Sequence, residues 1–252
     1  MKNITVSSIL FLAIYLPLAN VVAEPVQSYK QVRDQMMQKN AGKNKKKAKF
    51  SQADRQLMKD SMEATKKKYP SPGLALNTIA PDFSLPNATG SKVRLSNQLK
   101  QGPVVLVFYR GAWCPFCNLH LHVLQKSLPE FKKYKASLIA VTPQQPDQSL
   151  KQIAKNKYPF EVLSDLQDVV MKQYGLYYEL SPELVKLYKS KGLDVEAYNG
   201  KGRTALPIPG TFVIARDGRI RAVHAQHDYK ERMEPAEIIR VLKTLKPSSG
   251  RD

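Results

Sequence analysis

The chain is poor in cysteine, histidine and tryptophan. Its 252 residues hold two cysteines, four histidines and one tryptophan. Two cysteines can close one disulfide or supply half of a four-ligand zinc site. No cysteine lies near residue 24, which excludes a lipid anchor attached there. Acidic residues are also scarce, 21 against 40 lysines and arginines, leaving a net charge of +19. The basic runs lack interleaved aromatics and form no nucleic-acid-binding module, so nucleic acid is not an expected partner.

What the chain does have is concentrated in Tyr109-Arg110-Gly111-Ala112-Trp113-Cys114-Pro115-Phe116-Cys117, which contains both cysteines and the tryptophan. The apolar run Val104–Phe108 before it reads as a buried strand, and a helical pattern follows from Asn118 to about Tyr134. C-x-x-C spacing at a strand-to-helix junction reads as redox chemistry. A helix N-terminus presents free N–H groups and the positive end of the macrodipole, which favours a thiolate there. Arg110 adds positive charge, and Trp113 and Phe116 supply apolar walls that exclude water. A purely structural disulfide is the plainer alternative. A zinc site completed by His120 and His122 is weakened by their spacing of two, which puts them on different helix faces. Copper held by His224, His227 and the cysteines is a further alternative.

Residues 1–23 resemble a secretory signal: Lys2, a mostly apolar stretch from Ile4 to Leu18, and small Ala23 before Glu24. Export to the periplasm or another extracytoplasmic space is therefore expected, with a retained membrane anchor over residues 4–23 as the alternative. About 229 residues remain after cleavage, enough for one α/β domain with an extension. Residues 24–75 form that extension, with 13 basic and 5 acidic residues, a net of +8. A solvated basic surface is the simple reading, and it leaves room for weak contact with an anionic membrane surface. Residues 24–50 show little periodicity, and the lysine run at 43–49 reads as solvated. Ser51 with Asp54 resembles a capping box opening a helix through about Lys68, and Tyr69–Gly73 reads as a linker.

From residue 76 to 246, strands alternate with helices, arguing an α/β domain. A hairpin is expected over Ala80–Leu95. Strands are expected at 137–141, 160–165, 208–214 and 219–223, and helices at 149–156, 169–174 and 235–245. Residues 176–207 break the alternation and read as an insertion containing one helix, from Ser181 to near Gly192. Residues 247–252 read as a tail.

Ala80-Pro81-Asp82-Phe83-Ser84-Leu85, the Trp-Cys-Pro-x-Cys stretch, Val141-Thr142-Pro143-Gln144, Leu163-Ser164-Asp165 and Leu206–Ile214 occur in an order that resembles the alkyl hydroperoxide reductase/thiol-specific antioxidant family, the peroxiredoxins of the thioredoxin fold. The resemblance covers about residues 76–245. It implies a thioredoxin-like central mixed sheet flanked by helices, preceded here by the basic, partly helical extension. It implies a Cys114 thiolate that reduces a hydroperoxide, Cys117 as its resolving thiol, a thioredoxin-like dithiol as electron donor, and no cofactor or metal. It leaves room for a homodimer. It also places Pro209 where thioredoxin-like proteins carry a cis-proline facing the cysteine pair. The chain departs from the family at Val107 and Gly111, which stand where peroxiredoxins carry proline and threonine. Pro209 and Gly210 stand where an arginine is usual. Arg110, or more distantly Arg232, is the candidate substitute. These departures keep open a second activity, thiol–disulfide exchange on protein disulfides.

Overall fold

The first element is one that the residue pattern does not announce. In the computed structural model, which describes residues 26–43 and 50–245, a helix α1 runs over Tyr29–Lys43. The expected signal (1–23), nearly all of the lysine run at 43–49 and the tail (247–252) lie outside the described residues. Helix α2 (Gln52–Lys68) starts as its residues dictate. The Ser51 hydroxyl accepts from the Asp54 N–H, and the Asp54 carboxylate accepts from the Ser51 N–H. Next come the hairpin β1 (Ser84–Pro86) and β2 (Lys92–Arg94), and a short helix α3 (Leu95–Leu99). Then follow β3 (Val104–Phe108), α4 (Pro115–Lys132), β4 (Ser137–Thr142), α5 (Pro146–Asn156), β5 (Glu161–Ser164) and α6 (Val169–Gln173).

The segment read as an insertion holds more than one helix. Strand β6 (Tyr177–Glu179) and strand β7 (Ala205–Pro207) pair as an antiparallel ribbon, with α7 (Pro182–Ser190) and α8 (Glu196–Asn199) between them. The ribbon strands are three residues each, too short to show alternation. The chain closes with β8 (Gly210–Ile214), β9 (Ile220–Ala225) and α9 (Pro235–Thr244).

The main sheet has the order β5-β4-β3-β8-β9. Strand β4 is parallel to both β3 and β5, while β8 is antiparallel to β3 and β9. This is the expected mixed sheet flanked by helices. Strand β3 is buried on both faces, which is why it reads as an uninterrupted apolar run. Its side chains alternate. Val104, Leu106 and Phe108 join a core with Leu95, Ile139, Tyr174 and Phe212. Val105 and Val107 join the opposite core with Leu121, Leu124 and Phe131 of α4 and with Ile238 and Leu242 of α9. That second core contains Cys114 and Cys117. A third, smaller cluster forms around Leu184, Leu187 and Tyr188 of α7, and Leu57 and Met58 of α2 pack on it. The extension is thereby fastened to the domain, with a Lys191–Asp54 ion pair at 2.7 Å beside the contact.

Helix α1 is held from far away in the chain. The Glu234 carboxylate accepts from the backbone N–H groups of Tyr29 (2.9 Å) and Lys30 (2.8 Å), capping the helix in place of a local residue. Tyr29 is buried, donates its hydroxyl to the Lys230 carbonyl, and sets its ring edge-on to His120. Within the extension expected to be partly helical, the weakly periodic residues 24–50 thus contribute this helix. Its fixing partners lie some 200 residues away, so no local periodicity could show them.

Candidate active site

Strand β3 ends at Phe108 and the chain turns through Tyr109–Trp113 into α4. Helix α4 begins at Pro115, three residues earlier than its apolar pattern suggests, because Pro115 suits the first helical position. Cys114 is therefore the N-cap itself, and Cys117 lies in the first turn. The two form a disulfide, with Cα atoms 5.3 Å apart. The Cys117 N–H points at the Cys114 sulfur at 3.3 Å. Both residues are 1% exposed.

The turn is fixed by a buried amide network. Gln144 accepts from the Ala112 N–H at 2.9 Å, and Asn118 donates to the Ala112 carbonyl at 2.6 Å. Gln152 joins the two sides, donating to Asn118 at 2.7 Å and accepting from the Tyr109 hydroxyl at 2.7 Å. Gln144 also donates toward Gln152 and Ser149. Burial pushes the Tyr109 phenol well above its ordinary range, so it stays a donor. Of the network's three amide side chains only Gln144 falls in a stretch the sequence singles out. Gln152 and Asn118 are polar helix residues of the kind usually left in solvent.

Gly111 has φ of +143°, and a Cβ built on it would lie 2.6 Å from the Trp113 indole nitrogen. The threonine usual in the family has no room here while Trp113 keeps its place. Trp113 is half-buried and packs against both the cysteine core and the α7 cluster, as an apolar wall should.

The cation at the cysteines is Arg232. Its Nη2 lies 3.3 Å from the Cys117 sulfur, and its Nη1 donates to the Tyr229 and Glu231 carbonyls. Burial, with the nearby Arg110 charge, pushes its pKa down to about 10, so it remains protonated at neutral pH. Arg110 is placed differently. Its guanidinium lies 4.7 Å from the Trp113 ring and 4.6 Å from the Tyr229 ring, and it donates to the Tyr188 hydroxyl at 3.1 Å. No hydrogen bond joins it to either sulfur among the described residues.

Pro209 lines a cavity shared with Arg110, Tyr188 and Tyr229. The Ile208–Pro209 peptide is trans, which corrects the cis expectation. Ile208 is buried and its N–H donates to the Leu176 carbonyl at 2.6 Å, so the chain passes extended from the ribbon into β8, and trans is the default there.

The alternative metal ligands are separated. His120 is buried with its Nε2 facing the Met233 carbonyl at 3.3 Å, while His122 is exposed. The His227 Nε2 lies 2.9 Å from the Tyr69 carbonyl. Among the described residues no group of three or more His, Cys, Asp or Glu side chains could hold a metal ion.

Beside the disulfide, a cleft of ≈ 580 Å³ is lined by Trp113, Pro115, Phe116, Tyr188 and Tyr229, and by Phe50 and Met58 of the extension. Such an arrangement can present one sulfur to a small or apolar reactant once the covering rings part.

Known proteins match this frame. Peroxiredoxin Bcp of Escherichia coli strain K12 is 30% identical over 158 residues, covering 62% of this chain and 88% of its own. Rv1608c of Mycobacterium tuberculosis, a peroxiredoxin by name, is 34% identical over 100 residues, and the match spans 40% of this chain and 64% of that relative's length. The thiol-disulfide oxidoreductase ResA of Geobacillus kaustophilus is 25% identical over 175 residues, covering 69% of this chain and 80% of its own. Among solved structures, peroxidoxin BcpB from Mycobacterium tuberculosis superposes with a TM-score of 0.54 at 24% identity, over 69% of this chain and 99% of that one, which shows the shared fold. The AhpC/TSA family model matches residues 76–223, more than half of the chain, and the protein belongs to that family.

Proposed function

We propose that this protein is a thiol-dependent peroxidase that reduces hydrogen peroxide or organic hydroperoxides. The observation that carries the reading is the Cys114–Cys117 disulfide at the N-terminus of α4, with Arg232 against Cys117, in an AhpC/TSA chain. In the reduced state the Cys114 thiolate attacks the distal peroxide oxygen. The O–O bond breaks, and water or an alcohol leaves after taking a proton. Cys117 then condenses with the Cys114 sulfenic acid, releasing water and restoring the disulfide. A thioredoxin-like dithiol protein reduces it, its thiolate attacking Cys114 and Cys117 leaving as a thiolate beside Arg232. Arg110 acts through Trp113, on which it stacks, and Pro209 helps shape the adjoining cavity.

A second reading is thiol–disulfide exchange on client proteins by the same two cysteines. Gly111 favours it, since the peroxide-orienting hydroxyl of typical peroxiredoxins is missing, and so does the similarity to ResA. Residues 1–23 support export of the mature chain, which amino-terminal sequencing of the cell-fractionated protein tests. A retained Met1 would favour the anchored form.

The deciding experiment mixes reduced protein rapidly with hydrogen peroxide or an organic hydroperoxide, following Trp113 fluorescence and intact mass. A fast change with loss of two hydrogens, absent in Cys114→Ser, is expected. Reaction no faster than a free thiol, with rapid reduction of a protein disulfide, would transfer the assignment to the second reading.

A further inference from the structure

Among the described residues Arg110 makes no hydrogen bond to the reacting sulfurs, yet its charge is deeply placed. The residue is 3% exposed. Its Nη2 donates to the Tyr188 hydroxyl, and among the described residues its Nε–H has no partner. The rings of Trp113 and Tyr229 lie against its guanidinium, but ring contacts do not use the N–H donors, which point outward in the guanidinium plane. None of the ion pairs among the described residues includes it. A guanidinium cannot discharge by losing a proton, and a buried unpaired cation is costly. The site therefore has a standing demand for negative charge.

The space to meet that demand is next to it. A cavity of ≈ 60 Å³ has Arg110, Tyr178, Tyr188 and Tyr229 on the domain side and Ser61 and Thr65 of α2 on the other; much of the remaining wall is apolar, and no Asp or Glu lines it. At about 10–15 Å³ per water, such a volume has room for roughly four non-hydrogen atoms. That is the size of acetate or bicarbonate, and too small for a phosphate ester or a sugar acid.

We propose that this cavity binds a small monovalent carboxylate or oxyanion, paired with the Arg110 guanidinium and closed over by the extension helix α2. The roof residues Ser61 and Thr65 lie before the family-matched span, so the site belongs to this chain's own elaboration. Because Arg110 stacks on Trp113, which precedes Cys114, occupancy of the cavity is felt at the redox turn. The proposal stands whichever reaction the disulfide performs.

The test titrates the oxidised full chain with sodium acetate and with sodium bicarbonate at constant ionic strength. Sodium gluconate, whose anion is too large for the cavity, makes up the balance. Trp113 fluorescence and calorimetric heat are both read. A saturable signal is expected, weakened about tenfold or more in Arg110→Gln, in line with loss of a charge-assisted hydrogen bond. Ser61→Phe, which fills the cavity from the surface helix and leaves Arg110 in place, should abolish it. Thermal melts establish that each variant is folded, and Ser61→Phe decides alone if Arg110→Gln is not. A response that never saturates, or a midpoint unchanged in Ser61→Phe, would overturn the proposal.

Discussion

Arg232 Nη2 sits 3.3 Å from the sulfur of Cys117, so the two cysteines are supported by different sources of positive potential. Cys114 has the helix N-terminus, and Cys117 has a guanidinium. When the disulfide is cleaved by attack on Cys114, the departing Cys117 thiolate is received by a cation already in place. A stabilised reduced form makes a disulfide more oxidising. Replacing Arg232 with Met should therefore lower the reduction potential. A charge-assisted hydrogen bond of about 1.5–3 kcal/mol corresponds to roughly 30–60 mV. Equilibration with a glutathione or dithiothreitol series measures it. An unchanged potential would show that Arg232 only packs there.

Restoring the family's threonine should fail. Gly111→Thr puts a Cβ against the Trp113 indole in a backbone conformation that only glycine adopts readily, at a cost of about 1–3 kcal/mol. Urea unfolding should show that loss, and Trp113 emission should shift as the ring is displaced. A variant as stable as the parent would mean that Trp113 moves aside freely.

Stability should fall as the solution is acidified below neutrality. Burial, reinforced by the Arg232 charge, holds the His120 pKa well below its ordinary 6.5, and burial also lowers that of His224. Below pH 6.5 the unfolded chain binds protons that the folded chain refuses, so the folded state loses ground as pH falls. His120 withholds one proton, which sets the limiting slope at about 1.4 kcal/mol per pH unit. His120→Asn should flatten the profile by that amount relative to the parent. Parallel profiles would place the imidazole in contact with solvent.

Removing one carboxylate should loosen a whole helix. Glu234→Ala deletes the acceptor for the first two N–H groups of α1, at a cost of about 1 kcal/mol, or roughly fivefold in local opening. Amide exchange over residues 29–43 should quicken while that of α9 stays constant, since Glu234 gives its own helix no side-chain cap. Uniform quickening across the chain would argue against this local role.

The sheet and the redox turn are legible because their signals are local. Strand β3 declares itself by a run buried on both faces, and the helical pattern after it puts the cysteine pair at a strand-to-helix junction. Ser51 and Asp54 announce α2 through reciprocal hydrogen bonds three residues apart. What the residue pattern hides is long-range and polar. Arg232 reaches Cys117 across 115 positions, so it reads only as a distant candidate, whereas Arg110, adjacent in sequence, turns toward the aromatic rings instead. Gln152 and Asn118 look like solvent-facing helix residues until folding sets them around Ala112. The ribbon of β6 and β7 joins strands too short for any periodicity to register.

The family match stops at residue 223, but the disulfide's enclosure does not. Arg232 and the buried Met233 follow that limit, as does α9, and Tyr29, Phe50 and Met58 precede it. A fragment trimmed to residues 76–223 would keep both cysteines and most of the sheet, yet lose the guanidinium at one sulfur, α9 from the cysteine core and α2 from the smaller cluster. Its cysteines would exchange as a different redox couple. The chemical unit of this protein is thus wider than its homologous unit, and potentials or rates measured on the trimmed fragment would describe another molecule.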